Sequence, residues 1–418
     1  MRQDFPLEFR NGLLVLPGQP PQRGSLLAQD GRITAIGAQV PDVPGRCIAM
    51  RGDTLIAPAL VDLGVFAIDK PAFHFGGIVR AGLMPDQSPP LDHPARVRFA
   101  AQSAKPDLWV HPLAAATRGL EGRELAEIAL MRDAGARAVA TGRRWIADSG
   151  VMLRLLRYCA MLGLTVIAHA EDGGVTGHAV ATAGEMATRL GLPSAPAGAE
   201  ALAVMRDIAL AEMAGAAIHF RQVTTRAALD LIRAAKARGL PVTAGVTPAH
   251  FMLSDIAMAD FRTFARLSPP LRAEADRLAV RDAIADGTID VICSGHDPRG
   301  PEDKRLPFAD AEPGMAGAET LLPLTLGLVR DGVIPLERAF ALLAENPARI
   351  LGIPGGRLEV GADADIALIE PDAPWIVDSR RMAAAAGNTP FDRQPVQGKV
   401  INLFKAGLPL LRPFPDGE

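Results

Sequence analysis

The chain has 418 residues, of which 49% are hydrophobic, so it is long enough for one large domain and a smaller second one. Its formal net charge is −3 without long runs of one sign, and no run of about 18 apolar residues occurs; both features argue against a nucleic-acid or membrane partner. The cysteines Cys47, Cys159 and Cys293 form no CxxC pair, and the first residues do not resemble a signal peptide. We therefore expect a cytoplasmic protein.

Short apolar runs separated by turns predict β-strands near both ends of the chain. Two runs in residues 25–37 flank the turn signal Asp30-Gly31, which favours a hairpin. Neither end has enough strands for a stable sheet of its own. We therefore predict a small β-sandwich that is built from residues 1–56 and residues 355–418.

Between these segments, strand-like runs alternate with helix-like stretches. The apolar runs lie at residues 55–63, 108–112, 136–140, 164–168, 216–220, 241–245 and 289–293. The helix-like stretches lie at residues 122–134, 151–162, 199–214, 225–239 and 273–286. About eight such units in about 300 residues predict an α/β fold, a (β/α)8 barrel of the TIM type over residues 57–354. A doubly wound open sheet is the alternative, which the lack of a GxGxxG fingerprint disfavours.

The first unit of this barrel is short. Only eleven residues separate Phe66 from the next apolar run at Ile78, and they include Pro71, Gly76 and Gly77. A parallel crossover normally needs a dozen residues or more. We therefore expect the first barrel helix to be missing.

Ordered motifs at the predicted strand ends carry a family resemblance. They include His169-Ala170-Glu171-Asp172, Ser268-Pro269-Pro270-Leu271-Arg272, Ser294-Gly295-His296-Asp297-Pro298 and Asn388-Thr389-Pro390-Phe391. From about residue 10 to the C-terminus, the chain resembles the dihydroorotase family of the amidohydrolase superfamily. This resemblance implies an amidohydrolase-type barrel and a family chemistry in which Zn²⁺ assists the hydrolysis of a cyclic amide.

The resemblance also implies where the zinc ligands would stand, and most of those positions have lost them. The first two histidine positions hold Gly64 and Phe66, a third holds Gln222, and the metal-binding aspartate position holds Gly295. The bridging position falls near residues 141–144, where there is no lysine to form a carbamate. Because a catalytic zinc site uses three protein ligands, we expect no catalytic residue and no bound metal.

The substrate contacts that the resemblance implies are changed as well. The arginine that would clamp the substrate carboxylate is replaced by Ile68, an asparagine by Ser268, and a second histidine by Arg299. Isoleucine cannot replace a bidentate arginine clamp.

Of the family ligands, only His169 remains. We predict a vestigial pocket that contains His169, Glu171, Asp172, His296 and Arg299. A hydrogen-bonded pocket histidine is the favoured interpretation of His169, and a helix cap that of Glu171 and Asp172, rather than an acid/base pair.

Three less favoured interpretations of the remaining polar residues stay open. One possibility is that His296 contacts a substrate. His219 is most simply a core histidine on a strand. A second possibility is an anion pocket formed by Arg143, Arg144, Arg272 and Arg299. A third is a displaced metal site that uses His74 and His93.

The predicted function follows the subclass of dihydroorotase-like chains that lack metal ligands. Such chains are inactive partners of aspartate carbamoyltransferase, so we expect a non-catalytic structural or regulatory subunit in pyrimidine biosynthesis, in an oligomeric assembly. The alternative is an active dihydroorotase or related cyclic-amide hydrolase with a rebuilt zinc site. A sensor that binds a pyrimidine intermediate is a third, weaker hypothesis.

Overall fold

The computed structural model describes residues 6–411. The expectation about a signal peptide and the two outermost ends of the predicted sandwich, residues 1–5 and 412–418, lie outside this range. Within residues 6–411, no helix is long and apolar enough to cross a membrane.

Both ends of the chain contribute strands to one eight-stranded sheet. Its strands are Leu7–Leu14, Gln22–Gln29, Arg32–Gly37, Arg46–Ala49, Leu55–Pro58, Ile366–Ile376, Pro395–Lys405 and Leu408–Pro409. The antiparallel pairing of Ile366–Ile376 with Leu55–Pro58 joins the two segments, as the sequence predicts. The predicted hairpin is confirmed: Asp30 and Gly31 both have positive φ, as a tight two-residue turn requires.

The central segment forms eight parallel barrel strands, each paired with the next along the chain. They are Leu60–Val65, Ile78–Leu83, Trp109–Pro112 continued by Ala114–Ala115, Val139–Ala140, Val166–Ala168, Ile218–Phe220, Val242–Val246 and Val291–Ile292.

The eighth strand meets the first through polar contacts. The backbone N–H of Phe66 donates to the carbonyl oxygen of His296 at 2.9 Å. The N–H and hydroxyl groups of Ser294 both donate to the fully buried carboxylate of Asp62. These bonds close the barrel at the carboxyl ends of its strands, where (β/α)8 enzymes carry their active sites.

Helices surround the barrel. The longer ones are Ser149–Leu162, Gly198–Ala214, Arg226–Ala237, Glu274–Ala285 and Ala318–Arg330. Shorter α-helices are Lys70–Gly76, Pro94–Ala100, Ile128–Asp133, Gly173–Thr176, Glu185–Leu190, Pro248–Met252, Pro301–Lys304, Leu336–Phe340 and Asn346–Ile350. The 3₁₀ turns are Arg118–Leu120, Asp255–Met258 and Thr263–Ala265, and Ala341–Glu345 is a π-helical turn. A two-stranded ladder pairs Ala181–Thr182 with Ser194–Ala195.

The expectation that the first barrel helix is missing was wrong, because a seven-residue helix, Lys70–Gly76, fills this unit. Asp69 caps it by accepting from the N–H of Ala72, and Gly77 ends it with φ of 78°. Pro71 lies in the first turn, where its missing N–H leaves no bond unmade. The residues that suggested a deletion are therefore the start and stop signals of a short helix.

Candidate functional site

The four altered ligand positions come together at the carboxyl ends of the strands. Phe66, Gln222 and Gly295 line one small cavity. Gly64 is close by: a β-carbon on it would lie 3.5 Å from Cδ of Arg221. The set that the resemblance identifies is thus a spatial cluster, and the side chain at its centre is Arg221.

Arg221 follows the sixth barrel strand and is only 3% exposed. Its Nη1 donates to Oε1 of Gln222 at 3.0 Å, and its Nη2 donates to Nδ1 of His169 at 3.3 Å. Its guanidinium carbon lies 5.1 Å from the centre of the Phe66 ring. Burial lowers the pKa of Arg221 from its ordinary value. Within residues 6–411, the Arg221 guanidinium forms no ion pair, whereas Arg143 and Arg299 both pair with Asp297.

Arg221 is not among the site residues predicted from the sequence. Its one sequence signal is a charged residue directly after an apolar strand run, next to a family ligand position. The structure shows that a fixed guanidinium occupies the space between these positions.

The cavity beside this guanidinium has a volume of about 20 Å³. It is lined by Phe66, Arg143, Arg221, Gln222, Thr247, His250, Leu267, Ser268, Gly295, Asp297, Pro313, Gly314 and Met315. A single water needs at least about 10–15 Å³, whereas sites for small-molecule ligands measure about 300–1,000 Å³. The space therefore admits one small species and not a pyrimidine ring.

A second arginine, Arg143, is partly exposed and also lines the cavity. The guanidinium carbon of Arg143 lies 3.7 Å from the centre of the Phe66 ring, and its Nη2 lies 2.8 Å from Oδ2 of Asp297. Arg299 reaches the same carboxylate oxygen at 3.2 Å. Asp86 supports this arrangement because its Oδ1 accepts from the N–H of Arg143 at 2.9 Å.

The four arginines of the predicted anion pocket are not brought together, so that grouping was wrong. Arg143 and Arg299 share Asp297, whereas Arg144 is exposed. Arg272 lies in a separate network, in which its guanidinium pairs with the carboxylates of Glu171 and Glu200.

The network around Arg272 is largely buried: Glu200 is fully inaccessible, and Glu171 keeps slight exposure. Its Nη2 lies 2.9 Å from Oε1 of Glu171 and 3.3 Å from Oε2 of Glu200. Glu200 also accepts from the N–H and hydroxyl groups of Thr224 and Thr225. Burial alone would raise the pKa of Glu171, but the neighbouring His169 ring, 3.6 Å away, and the charge of Arg272 lower it to about 2. Glu171 is therefore a fixed anion that pairs with arginine, not a proton shuttle.

The predicted vestigial pocket is divided among separate places. Its five members, His169, Glu171, Asp172, His296 and Arg299, do not line the cavity. Asp172 caps the helix Gly173–Thr176 by accepting from the N–H of Gly174 at 2.8 Å, which confirms its predicted role as a cap. The same prediction for Glu171 was wrong, because its carboxylate is held by Arg272.

His296 faces the first helix rather than the cavity. It is fully buried, and its Nε2 lies 3.5 Å from Oδ2 of Asp69, the cap of that helix. Its ring packs edge-on against Phe73, with 5.3 Å between ring centres. These contacts make His296 part of the packing between the last barrel strand and the first helix.

His250 lines the cavity although nothing in the sequence pattern marked it. Its Nε2 donates to the carbonyl oxygen of Pro269 at 3.1 Å, so its Nδ1 accepts from the hydroxyl of Thr247 at 2.8 Å. Burial lowers the pKa of His250 to about 4, and the ring is neutral at neutral pH. His219 is buried and bonded to the Thr243 hydroxyl at 2.9 Å, as expected for a core histidine.

The comparisons with known proteins identify the class to which this barrel belongs. The sequence model of the "Amidohydrolase family" matches residues 86–410, and the chain belongs to that family. It is homologous to dihydroorotases: the protein from Pelotomaculum thermopropionicum is 40% identical over 88% of this chain and 90% of its own length. The dihydroorotase of Syntrophotalea carbinolica is 37% identical, with 91% of this chain and 92% of the relative covered.

Solved structures support the fold. An L-hydantoinase from Arthrobacter aurescens superimposes with a TM-score of 0.86 at 24% identity, over 97% of this chain and 96% of that one. A dihydropyrimidinase from Brevibacillus agri gives a TM-score of 0.85 at 21% identity, over 97% and 95% of the two chains.

Amidohydrolases depend on metal ions, but the residues of this site do not fit one. Among residues 6–411, no three His, Cys, Asp or Glu side chains are grouped so that they could hold a metal. A histidine ligand needs a free lone pair, yet Nδ1 of His169 accepts from Arg221 while its Nε2 lies 3.6 Å from Glu171. The accepting nitrogen of His250 is likewise engaged.

Proposed function

We propose that this chain is a non-catalytic, dihydroorotase-like protein of pyrimidine biosynthesis that serves as a structural or regulatory partner of aspartate carbamoyltransferase. The observation that carries the first half of this proposal is the position of Arg221. Its guanidinium lies among Gly64, Phe66, His169 and Gln222, four positions at which the family resemblance implies metal ligands.

Hydrolysis of a cyclic amide in this family needs an activated hydroxide and a polarised carbonyl group at the strand ends. A buried cation at that place repels a second cation, and a cavity of about 20 Å³ leaves no room for the substrate ring. Glu171 and Asp297 offer no substitute, because both carboxylates are paired with arginines. The chain's own residues therefore supply neither part of the reaction.

The partner half of the proposal rests on the resemblance to inactive dihydroorotase-like chains that accompany the transferase. It is also supported by a fold that is intact although the ligand positions have changed, which is what a role in assembly requires. On this proposal the protein acts in the cytoplasm within an oligomer.

Coexpression with the aspartate carbamoyltransferase of the same organism, followed by size-exclusion chromatography with light scattering, tests the partnership. We expect both chains to elute together at a fixed ratio, and the transferase alone to elute as a smaller species. Arg143→Gln, which changes the lining of the cavity, is the matched control and should leave the complex intact, because a structural role needs no ligand there. Elution of the chain as a free monomer that leaves the transferase unaffected would refute the partnership.

An active dihydroorotase with a rebuilt zinc site is the rival function. Ring-opening turnover that requires added Zn²⁺ and is lost in His169→Ala would establish it and overturn the proposal.

A further inference from the structure

We propose that the cavity beside Arg221 is a binding site for a small monoanion, either chloride or the carboxylate group of a small acid. The site is defined by Arg143, Arg221, Gln222 and Gly295. This inference does not depend on the transferase partnership, so either can fail without the other.

Arg221 carries a charge that its neighbours do not balance. Its hydrogen-bond partners, Gln222 and His169, are both neutral acceptors, and its Nε has no protein partner. Isolated buried charges are costly, and proteins normally pair them with an opposite charge. An anion in the adjoining cavity supplies the charge that the described residues do not.

The carboxylates nearest the cavity are already engaged by other groups. Arg143 and Arg299 share the carboxylate of Asp297, and Asp86 accepts from the backbone N–H of Arg143. Neither acid forms an ion pair with the Arg221 guanidinium, which they attract only from a distance. The His250 ring adds no charge at neutral pH, because burial lowers its pKa to about 4.

The size and lining of the cavity fit a small anion. A volume of about 20 Å³ admits a halide ion or one end of a carboxylate, but not a phosphate ester with its substituent. Gln222 accepts from Arg221 through Oε1, so its Nε2 remains to donate. A β-carbon on Gly295 would lie 3.4 Å from that nitrogen and close to the methyl groups of Thr247 and Met315. The cavity therefore offers an amide donor beside the guanidinium groups of Arg143 and Arg221.

Bromide serves as the probe, because its anomalous scattering locates it directly in crystals soaked in sodium bromide. We expect a peak between Arg143 and Arg221 beside Gly295. In solution, sodium bromide should raise the apparent melting temperature relative to sodium isethionate at equal ionic strength, because the isethionate anion is too large for the cavity. At ten times the dissociation constant the expected rise is about 2 °C.

Two variants and a second anion complete the test. Arg143→Gln should reduce the bromide-dependent rise at least about tenfold in apparent affinity, while Arg144→Gln, its exposed neighbour, should retain it. Arg221→Met, which removes the charge but keeps a long side chain in the cavity wall, should abolish the rise. Sodium formate that raises the melting temperature more than bromide identifies the natural occupant as a carboxylate, and the reverse order identifies a halide.

The proposal is overturned if neither anion stabilises the protein relative to isethionate. It is also overturned if Arg143→Gln responds to bromide as strongly as Arg144→Gln does.

Discussion

Replacing Phe66 by alanine is expected to destabilise the protein strongly, although Phe66 stands where the family resemblance implies a catalytic ligand. The ring is 8% exposed and lies under two guanidinium groups, with ring-to-carbon distances of 3.7 Å for Arg143 and 5.1 Å for Arg221. Truncation of a buried phenylalanine costs about 3–5 kcal/mol. Loss of the cation–π contacts adds about 1 kcal/mol, so we expect a total of about 4–6 kcal/mol.

Urea unfolding followed by tryptophan fluorescence measures this change as the difference in the free energy of unfolding. Phe99→Ala is the matched control, because the Phe99 ring is 78% exposed and its loss should cost less than about 0.5 kcal/mol. If Phe66 were only a decayed ligand position without a packing role, its truncation would cost little. A loss below about 1.5 kcal/mol for Phe66→Ala would therefore refute the reasoning that this position is now part of a packed cationic core.

Three further predictions concern the buried charges. Glu200→Ala should lower the free energy of unfolding by about 3–5 kcal/mol, because it leaves buried hydrogen-bond donors and part of the Arg272 charge unpaired. Glu212→Ala removes the exposed partner of Arg238 and should cost less than about 1 kcal/mol in the same urea titration. Equal losses for the two variants would contradict the buried role of Glu200. The pKa of Glu171 is lowered from 4.5 to about 2, so its contribution to stability is complete above pH 4.5 and is lost as the pH falls through about 2. Glu171→Gln should therefore flatten the plot of unfolding free energy against pH in that window. An unchanged slope would count against the pairing of Glu171 with Arg272. Arg221→Met should lower the free energy of unfolding by no more than about 2 kcal/mol in sodium isethionate, because the removal of an unpaired buried cation offsets the loss of two hydrogen bonds. A loss above about 4 kcal/mol in thermal or urea unfolding would show that other groups of the protein compensate the charge.

The barrel was predictable from the sequence because its signals are repeated and local. Continuous apolar runs marked strands such as Val166–Ala168, and apolar periodicity placed the helix over 199–214, one residue from the observed Gly198–Ala214. The first helix was missed because the eleven residues before Ile78 are fewer than a parallel crossover normally needs. Pro71 and Gly77 fit the start and end of a seven-residue helix within that length.

The altered ligand positions were also predictable, because the ordered motifs fix their place along the chain and the strand ends bring them together. Arg221 was not, because the alternation of side chains applies only within a strand, and the strand Ile218–Phe220 ends just before it. Both Arg221 and Gln222 therefore face the cavity, a geometry that sequence spacing does not encode. The pairing of Arg143 with Asp297 depends likewise on loops that meet only in the folded barrel.

The zinc content of the purified protein, measured by elemental analysis after incubation with Zn²⁺ and removal of the unbound metal, tests the central claim most directly. That claim is that a guanidinium and non-ligand side chains occupy the place of the family's metal centre. We expect less than about 0.1 zinc per chain, because fewer than three protein ligands do not hold a catalytic zinc. About one zinc or more per chain, lost in His169→Ala, would mean that ligands converge there in solution and would contradict the account.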